Sequence, residues 1–362
     1  MTPKNILIVN PYGIGDVLFT LPLIQTLREA WPSATLGYLC NRRTEELVRM
    51  FPGIQIVRVF EKDEFRTHWR RSIPRWASAI REFAQTLRRD HWEAAIDLSL
   101  NWQFGAALAG IGIPRRYGFD FRGRGRWLTH RLPLSGFEGR PVADYYLDIL
   151  RLLELPRPAQ PTLSLPLPAL AIPQAKAWLA RAGITDDRPI VGLVPGGGAS
   201  WGPHGAAKRW PPTAFAELGD RLAEAAQGQV VLFGDASDRL ACEAVARAAR
   251  RPVAIPDPAP SLPILAAALA QCRVVVGNDS GALHLAVAVG APSITIFGPA
   301  SPVAYGPYPP AASGRHRVAV KTLACRPCYA RFRLPPCPWE FRCLTTLQPA
   351  EVFPLAAPLL AA

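Results

Sequence analysis

The sequence has no apolar run long enough to cross a membrane. The closest approach is residues 282–298, and His284, Gly290, Pro292, Ser293 and Thr295 interrupt it. It also lacks the apolar core of a secretory signal, because only Ile6 to Val9 run together before Asn10 and Pro11. These absences lead to the expectation of a soluble, cytoplasmic protein. Acidic residues are few: 28 Asp and Glu stand against 41 Lys and Arg, a formal net charge of +13. Such a surplus favours anionic partners, whether nucleic acid, phosphorylated sugars or an anionic membrane face. No helix-turn-helix, RNP or zinc-finger pattern accompanies the charge, so nucleic acid is not expected as a partner. Cysteine is sparse and odd in number, at seven. Cys40, Cys242 and Cys272 sit in apolar segments that read as core, a usage that fits a reducing compartment.

What is present is a globular composition, 49% hydrophobic and 19% charged over 362 residues, long enough for two domains. In the first half, short apolar runs at 5–9, 35–40, 54–60 and 94–98 alternate with helical stretches at 16–30 and 80–89. Such alternation predicts a parallel sheet covered on both faces. Prolines at 156, 158, 161, 166, 168 and 173 then crowd one segment, which reads as a joint. Beyond it the pattern restarts, with strands expected at 190–194, 230–233, 274–276 and 293–297. Helices are expected there at 213–226, 237–250, 261–270 and 282–289. The expected organisation is an α/β domain over 1–160, a linker over 161–174 and a second α/β domain over 175–362. Open α/β sheets bind ligands at strand carboxyl ends and helix amino ends.

Three glycine-bearing turns each follow a strand. The first reads Asn10-Pro11-Tyr12-Gly13-Ile14-Gly15-Asp16. It lacks the third glycine of a dinucleotide fingerprint, since position 18 is Leu18, and no acidic residue marks the end of the second strand. A nicotinamide or flavin cofactor is therefore not expected. The turn does place the carboxylate of Asp16 in the first turn of a helix, where a helix-favoured acid and a chemical base are both open readings. The second turn, Pro195-Gly196-Gly197-Gly198, leads to Lys208-Arg209-Trp210-Pro211. It has no Gly-Lys-Ser/Thr and is not a Walker loop, but glycine N–H groups and a nearby lysine suit a phosphate. The third, Gly277-Asn278-Asp279-Ser280-Gly281-Ala282-Leu283-His284, opens a helix whose free N–H groups suit a pyrophosphate. His284 falls one turn on from Ser280.

Taken together, Gly-x-Gly-Asp16 with Thr20-Leu21-Pro22, Lys208-Arg209-Trp210-Pro211, Asn278-Asp279-Ser280-Gly281-x-x-His284 and Phe297-Gly298-Pro299 resemble glycosyltransferase family 9. Order and spacing agree along nearly the whole chain. The resemblance implies a GT-B architecture, two Rossmann-like domains facing across a cleft, with residues 1–160 on the acceptor side and 175–362 binding the nucleotide sugar. It implies inverting transfer of a sugar, heptose from ADP-heptose, onto a lipopolysaccharide inner-core or related surface-glycan acceptor. Asp16 would be the catalytic base. Gly196, Gly197, Lys208, Asp279, Ser280, Gly281 and His284 would bind the donor, the lysine and the helix start stabilising the departing diphosphate. Arg66, Arg70, Arg122 and Arg124 would meet an anionic glycolipid acceptor. No cofactor and no metal would be required, and the place of action would be the cytoplasm, at the inner face of the inner membrane. The turn departs from the family pattern at Asn10, where an arginine is expected, and near Tyr12, where a serine is expected. Residues 202–207 form an extra-looking loop. Two other readings stay open: a GT-B enzyme with another nucleotide-sugar donor or an epimerase activity, and a homologue that binds glycan or nucleotide without turnover.

Near the end, Cys325-x2-Cys328-x8-Cys337-x5-Cys343 begins with a zinc-like spacing that its second pair does not repeat. Relatives in the family carry a similar segment, and reduced structural thiols are the expectation.

Overall fold

The computed structural model describes residues 3–61, 72–310 and 314–361. The chain divides into two compact units, Met1–Phe137 with Val142–Pro161, and Glu138–Pro141 with Thr162–Ala362.

The first unit holds a six-stranded sheet of β1 (Asn5–Val9), β2 (Thr35–Cys40), β3 (Ile54–Val59), β4 (Ala94–Asp97), β5 (Arg115–Phe121) and β6 (His130–Leu134), in the order β3-β2-β1-β4-β5-β6. All neighbouring strands are parallel. The second unit repeats the plan with β7 (Ile190–Val194), β8 (Gln229–Leu232), β9 (Val253–Ala254), β10 (Cys272–Asn278), β11 (Ser293–Phe297) and β12 (His316–Val320). Its order, β12-β11-β10-β7-β8-β9, is the same topology read from the other edge, again all parallel. Each is the doubly wound Rossmann order, in which the connections leave the first strand in opposite directions.

The central strands form because they are continuous apolar runs that can be buried on both faces. Ile6, Leu7, Ile8 and Val9 of β1 are all buried, as are Val191, Leu193 and Val194 of β7. The edges read differently. The edge strand β6 carries Pro133, which lacks an N–H and is tolerated where one side of the strand is unpaired, and β5 beside it starts with two arginines. Like β9 and β12 of the second sheet, neither has the apolar run that marks the remaining strands.

Several helices differ from expectation for local reasons. The stretch expected at 16–30 is two helices, Ile14–Leu18 and Leu21–Ala30, with Phe19 and Thr20 between them and Pro22 in the first turn of the second. The helix expected at 80–89 begins earlier, as Ile73–Arg89, with Pro74 near its start, where a missing N–H costs nothing. A helix also forms at Ala171–Arg181, its Pro173 again in the first turn. At the end of the chain, Pro349–Ala361 packs Val352, Ala356 and Leu359 into the core of the second unit with Trp210, Phe215 and Leu344.

Gly37 of β2 shows how tightly the first sheet is covered, because a side chain there would overlap the Trp92 indole. Gly37→Ala is expected to destabilise the protein by about 1–3 kcal/mol through overpacking, read from the shift in chemical denaturation midpoint.

Candidate functional site

In each sheet the strand order reverses beside the first strand, between β1 and β4 and between β7 and β10. The space beyond the carboxyl ends of such a pair is where doubly wound sheets place their ligands. All three glycine turns lie there, one after β1, one after β7 and one after β10.

In the first unit the chain leaves β1 at Val9 and turns through residues 10–13 into the helix Ile14–Leu18, which carries half-buried Asp16 in its first turn. Side chains from three directions fix this turn. The fully buried Asn10 donates from Nδ2 to the Asp16 carbonyl at 3.1 Å. Asn41, just past β2, donates to the carbonyls of Pro11 (3.1 Å) and Tyr12 (2.7 Å) while its Oδ1 accepts from the Thr44 N–H at 3.1 Å. The Tyr12 hydroxyl donates to the Ser99 carbonyl beyond β4. At Asn10, where an arginine was expected, the structure thus has a short buried amide that clamps the backbone of Asp16.

Asp97 ends β4 opposite Val9 in register and is buried, its Oδ1 accepting the Ser99 N–H at 2.9 Å. Burial pushes its carboxyl up to about 6, and the hydrogen bonds from Ser99 only partly oppose this. Burial also raises the Tyr12 phenol, helped by the charges of Asp16 and Asp97 and opposed by Arg124. Tyr12 therefore remains a hydroxyl donor, and both carboxylates and the arginine stand close around it. Arg122 and Arg124 follow β5 on the surface, their guanidinium carbons 4.8 Å and 5.5 Å from the Phe121 ring centre. Arg66 and Arg70 lie outside the described residues.

In the second unit the buried Asn278, last residue of β10, joins three segments. Its Nδ2 donates to the carbonyls of Pro195 (2.8 Å) and Gly196 (3.0 Å), and its Oδ1 accepts the Trp210 N–H at 2.9 Å. The glycines are required by contact. A Cβ on Gly196 would strike Asp238, and Gly197, at φ +97°, would place one 2.6 Å from Cβ of Ser280. Asp238 accepts the Gly197 N–H at 2.9 Å, and Arg209 donates to the Gly197 carbonyl at 3.1 Å.

Against this frame, Lys208 Nζ lies 2.6 Å from Asp279 Oδ2, and His284 Nε2 lies 3.5 Å from Asp279 Oδ1. All three are buried. Burial acts to raise the Asp279 carboxyl, but Lys208 and His284 outweigh it and hold the group below its ordinary range. Ser280 is the N-cap of the helix Gly281–Ala288, yet it makes no capping bond, and its buried Oγ has no hydrogen-bond partner among the described residues. The result is an ammonium, a histidine, an unused hydroxyl and the open N–H groups of a helix start, gathered under a glycine turn. Such a set accepts an anion.

Lys208, Asp279, Ser280, Gly281, His284, Gly196 and Gly197 are thus brought together in one place. Asp16 occupies the corresponding place in the first unit. Sequence reasoning missed Asn41, Asp97 and Asp238. Asp97 offered one signal, a carboxylate closing an apolar strand. Asn41 and Asp238 sit in ordinary turn sequences. Among the described residues, no three His, Cys, Asp or Glu side chains are grouped so as to hold a metal ion. Cys343 is buried in the second core, Cys328 and Cys337 are half-buried, and Cys325 is exposed.

Residues 80–332 match the family model for glycosyltransferase family 9 (heptosyltransferase). The chain belongs to this family. It is a glycosyltransferase of GT-B fold. It is 28% identical over 316 residues to lipopolysaccharide heptosyltransferase 2 of Escherichia coli K12, covering 82% of this chain and 84% of that protein. Its fold is similar to that of E. coli ADP-heptose LPS heptosyltransferase II, with TM-score 0.76, 23% identity and coverage of 99% and 98% of the two chains. It is also similar in fold to an E. coli heptosyltransferase solved with ADP, with TM-score 0.72, 19% identity and coverage of 98% and 99%. No described helix of this family member is long and apolar enough to cross a membrane.

Asp97 gives this glycosyltransferase a pH-dependent stability term. The carboxyl titrates near 3.8 when unfolded and near 6 when folded, so between those values the folded chain binds more protons. Stability from this group is therefore greatest below the unfolded value and falls as pH rises through the folded one. Asp97→Asn keeps an acceptor for the Ser99 N–H and removes the charge. At pH 8 the variant is expected to be more stable than wild type by roughly 3 kcal/mol. The difference is expected to vanish near pH 3.5, and denaturant titrations at the two pH values measure it.

Proposed function

We propose that this enzyme transfers heptose from ADP-heptose to the inner core of a lipopolysaccharide, inverting the anomeric carbon. The single observation that carries the donor half is the buried Lys208–Asp279–His284 set at the start of the helix Gly281–Ala288. A diphosphate there would meet the Lys208 ammonium, the Ser280 hydroxyl and the helix N–H groups, partners that a neutral ligand would leave unused. Family membership and the heptosyltransferase relatives support the sugar, and the ADP complex of a protein of similar fold supports the nucleotide.

In the reaction, an acceptor hydroxyl oxygen forms its bond to the anomeric carbon as the bond from that carbon to the diphosphate oxygen breaks. The electron pair leaves with ADP, whose growing charge Lys208 and the helix start stabilise. The proton passes to Asp16, held by the Asn10 and Asn41 clamps in the first unit. Gly196 and Gly197 let the backbone approach the donor without a side chain in the way. Asp279 and His284 set the position of Lys208. The exposed Arg122 and Arg124, with Arg126 5.3 Å from the exposed Trp102 ring, favour an anionic, amphiphilic acceptor. Arg66 and Arg70 are proposed to serve the same acceptor, and its lipid would bring the protein into peripheral contact with the inner membrane from the cytoplasmic side.

Two variants separate the halves of this reading. Asp16→Asn is expected to lower kcat by about 10²–10⁴-fold while ADP binding stays as in wild type. Lys208→Ala is expected to weaken ADP binding by about 10-fold or more. Calorimetry with ADP, UDP, GDP and CMP, together with ADP release from ADP-heptose plus acceptor, reads both. Preference for another nucleotide would move the donor assignment, and full turnover by Asp16→Asn would remove the base.

A further inference from the structure

The stretch carrying Lys208 has little regular structure to hold it in place. Ala199–Lys208 is a run of 3-10 turns broken at Gly202, where φ is +55° and ψ is −126°. Its lysine nevertheless occupies a defined position, between the Asp279 carboxylate and an aromatic ring. The Lys208 ammonium lies 4.7 Å from the centre of the Trp201 ring. That ring in turn stacks on Tyr329, with centroids 4.3 Å apart and planes at 25°.

Tyr329 comes from the cysteine-rich segment, which the reaction outlined above does not use. The segment is firmly docked despite its irregular backbone. The N–H groups of Cys328 and Tyr329 both donate to the Pro299 carbonyl at 3.1 Å. Arg326, between the first two cysteines, donates to the carbonyls of Gly298 (2.5 Å), Lys321 (3.1 Å) and Ala300 (3.2 Å). Cys343 and Leu344 anchor its far end in the core, and Phe341 donates its N–H to Cys337 Sγ at 3.3 Å. A ring on such a base is held by the segment's own hydrogen bonds and core anchors, whereas Trp201 lies in the irregular stretch broken at Gly202.

We propose that Tyr329 is a positioning residue for Lys208, acting through the Trp201 ring, so that the cysteine-rich segment braces the lysine of the donor site. A cation over an indole face keeps its charge and gains a lateral restraint. The Asp279 carboxylate alone fixes only one direction of approach. With the ring in place, Nζ is presented beside Ser280 when a diphosphate arrives, and less reordering is needed on binding. This inference rests on the reading of Lys208 as the diphosphate contact.

The test uses the full chain with Tyr329→Leu, Tyr329→Phe and Trp201→Leu, and Lys208→Ala for reference. Two quantities are measured: ADP affinity by calorimetry, and the rate of reductive methylation of Lys208, followed by peptide mass spectrometry among the chain's five lysines. Tyr329→Leu and Trp201→Leu are each expected to weaken ADP binding by about fivefold and to speed Lys208 modification by about the same factor. Tyr329→Phe keeps the stack and is expected to match wild type in both. Wild-type ADP affinity and Lys208 protection in both leucine variants would overturn the brace, as would a phenylalanine variant as impaired as the leucine one. If wild type binds no ADP, the donor reading fails, and the methylation rates still decide whether the stack holds Lys208.

Discussion

When the connections of a parallel sheet leave its first strand in both directions, the carboxyl ends of the two central strands are left uncovered, because the helices that follow them pass to opposite faces. Both units of this chain have that reversal. The backbone groups around the gap still need partners, and asparagine side chains supply them here, since one amide both donates twice and accepts. Beyond β1, Asn10 donates once, to the Asp16 carbonyl, and beyond β2 Asn41 donates to two carbonyls and accepts the Thr44 N–H. Asn278 does so for the β7 turn, β10 and the chain at Trp210 together. The positions of Asp16 and Lys208 follow from those clamps.

The two units treat buried charge in opposite ways. Asp279 is paired on both oxygens, by Lys208 and His284, and stays ionised in spite of its burial. Asp97 is as deeply buried but has only the Ser99 bonds, so its carboxyl moves toward the neutral form. Pairing with Lys208 and His284 favours the charged form of Asp279, whereas desolvation without a cationic partner raises the carboxyl of Asp97.

The segment of residues 321–341 is held by means other than secondary structure. Its described backbone has one isolated bridge, Ala330 to Arg333, and several residues at positive φ, among them Arg331, Phe332, Glu340 and Phe341. Arg326 takes over the role of a ladder, satisfying three carbonyls from one planar fork.

Much of this protein was legible in local sequence. The runs at 5–9, 35–40, 190–194 and 293–297 could only be strands buried on both faces, because they are short, apolar and followed by glycine turns or by polar and proline residues. Asp16, Lys208, Asp279, Ser280 and His284 stood out because each sits beside a glycine turn or a helix start, where the backbone itself marks an anion or a base. β6, β9 and β12 were missed at sheet edges, where less burial is needed and arginines, a proline or a length of two residues leave no apolar run, and β5, one strand in from the edge, was missed because it starts with two arginines. Asn41, Asp238 and Tyr329 were missed for another reason: the partners that give them their roles lie from about thirty to more than a hundred residues away in sequence. Asp97 was missed because its burial, not its nearby Ser99 partner, is what sets it apart. The sequence by itself determined which strand ends would be polar and which turns would be open. Only the tertiary structure decided which of those ends meet, because hydrogen bonds and ion pairs act over a few ångströms, and separation along the chain carries no record of that distance.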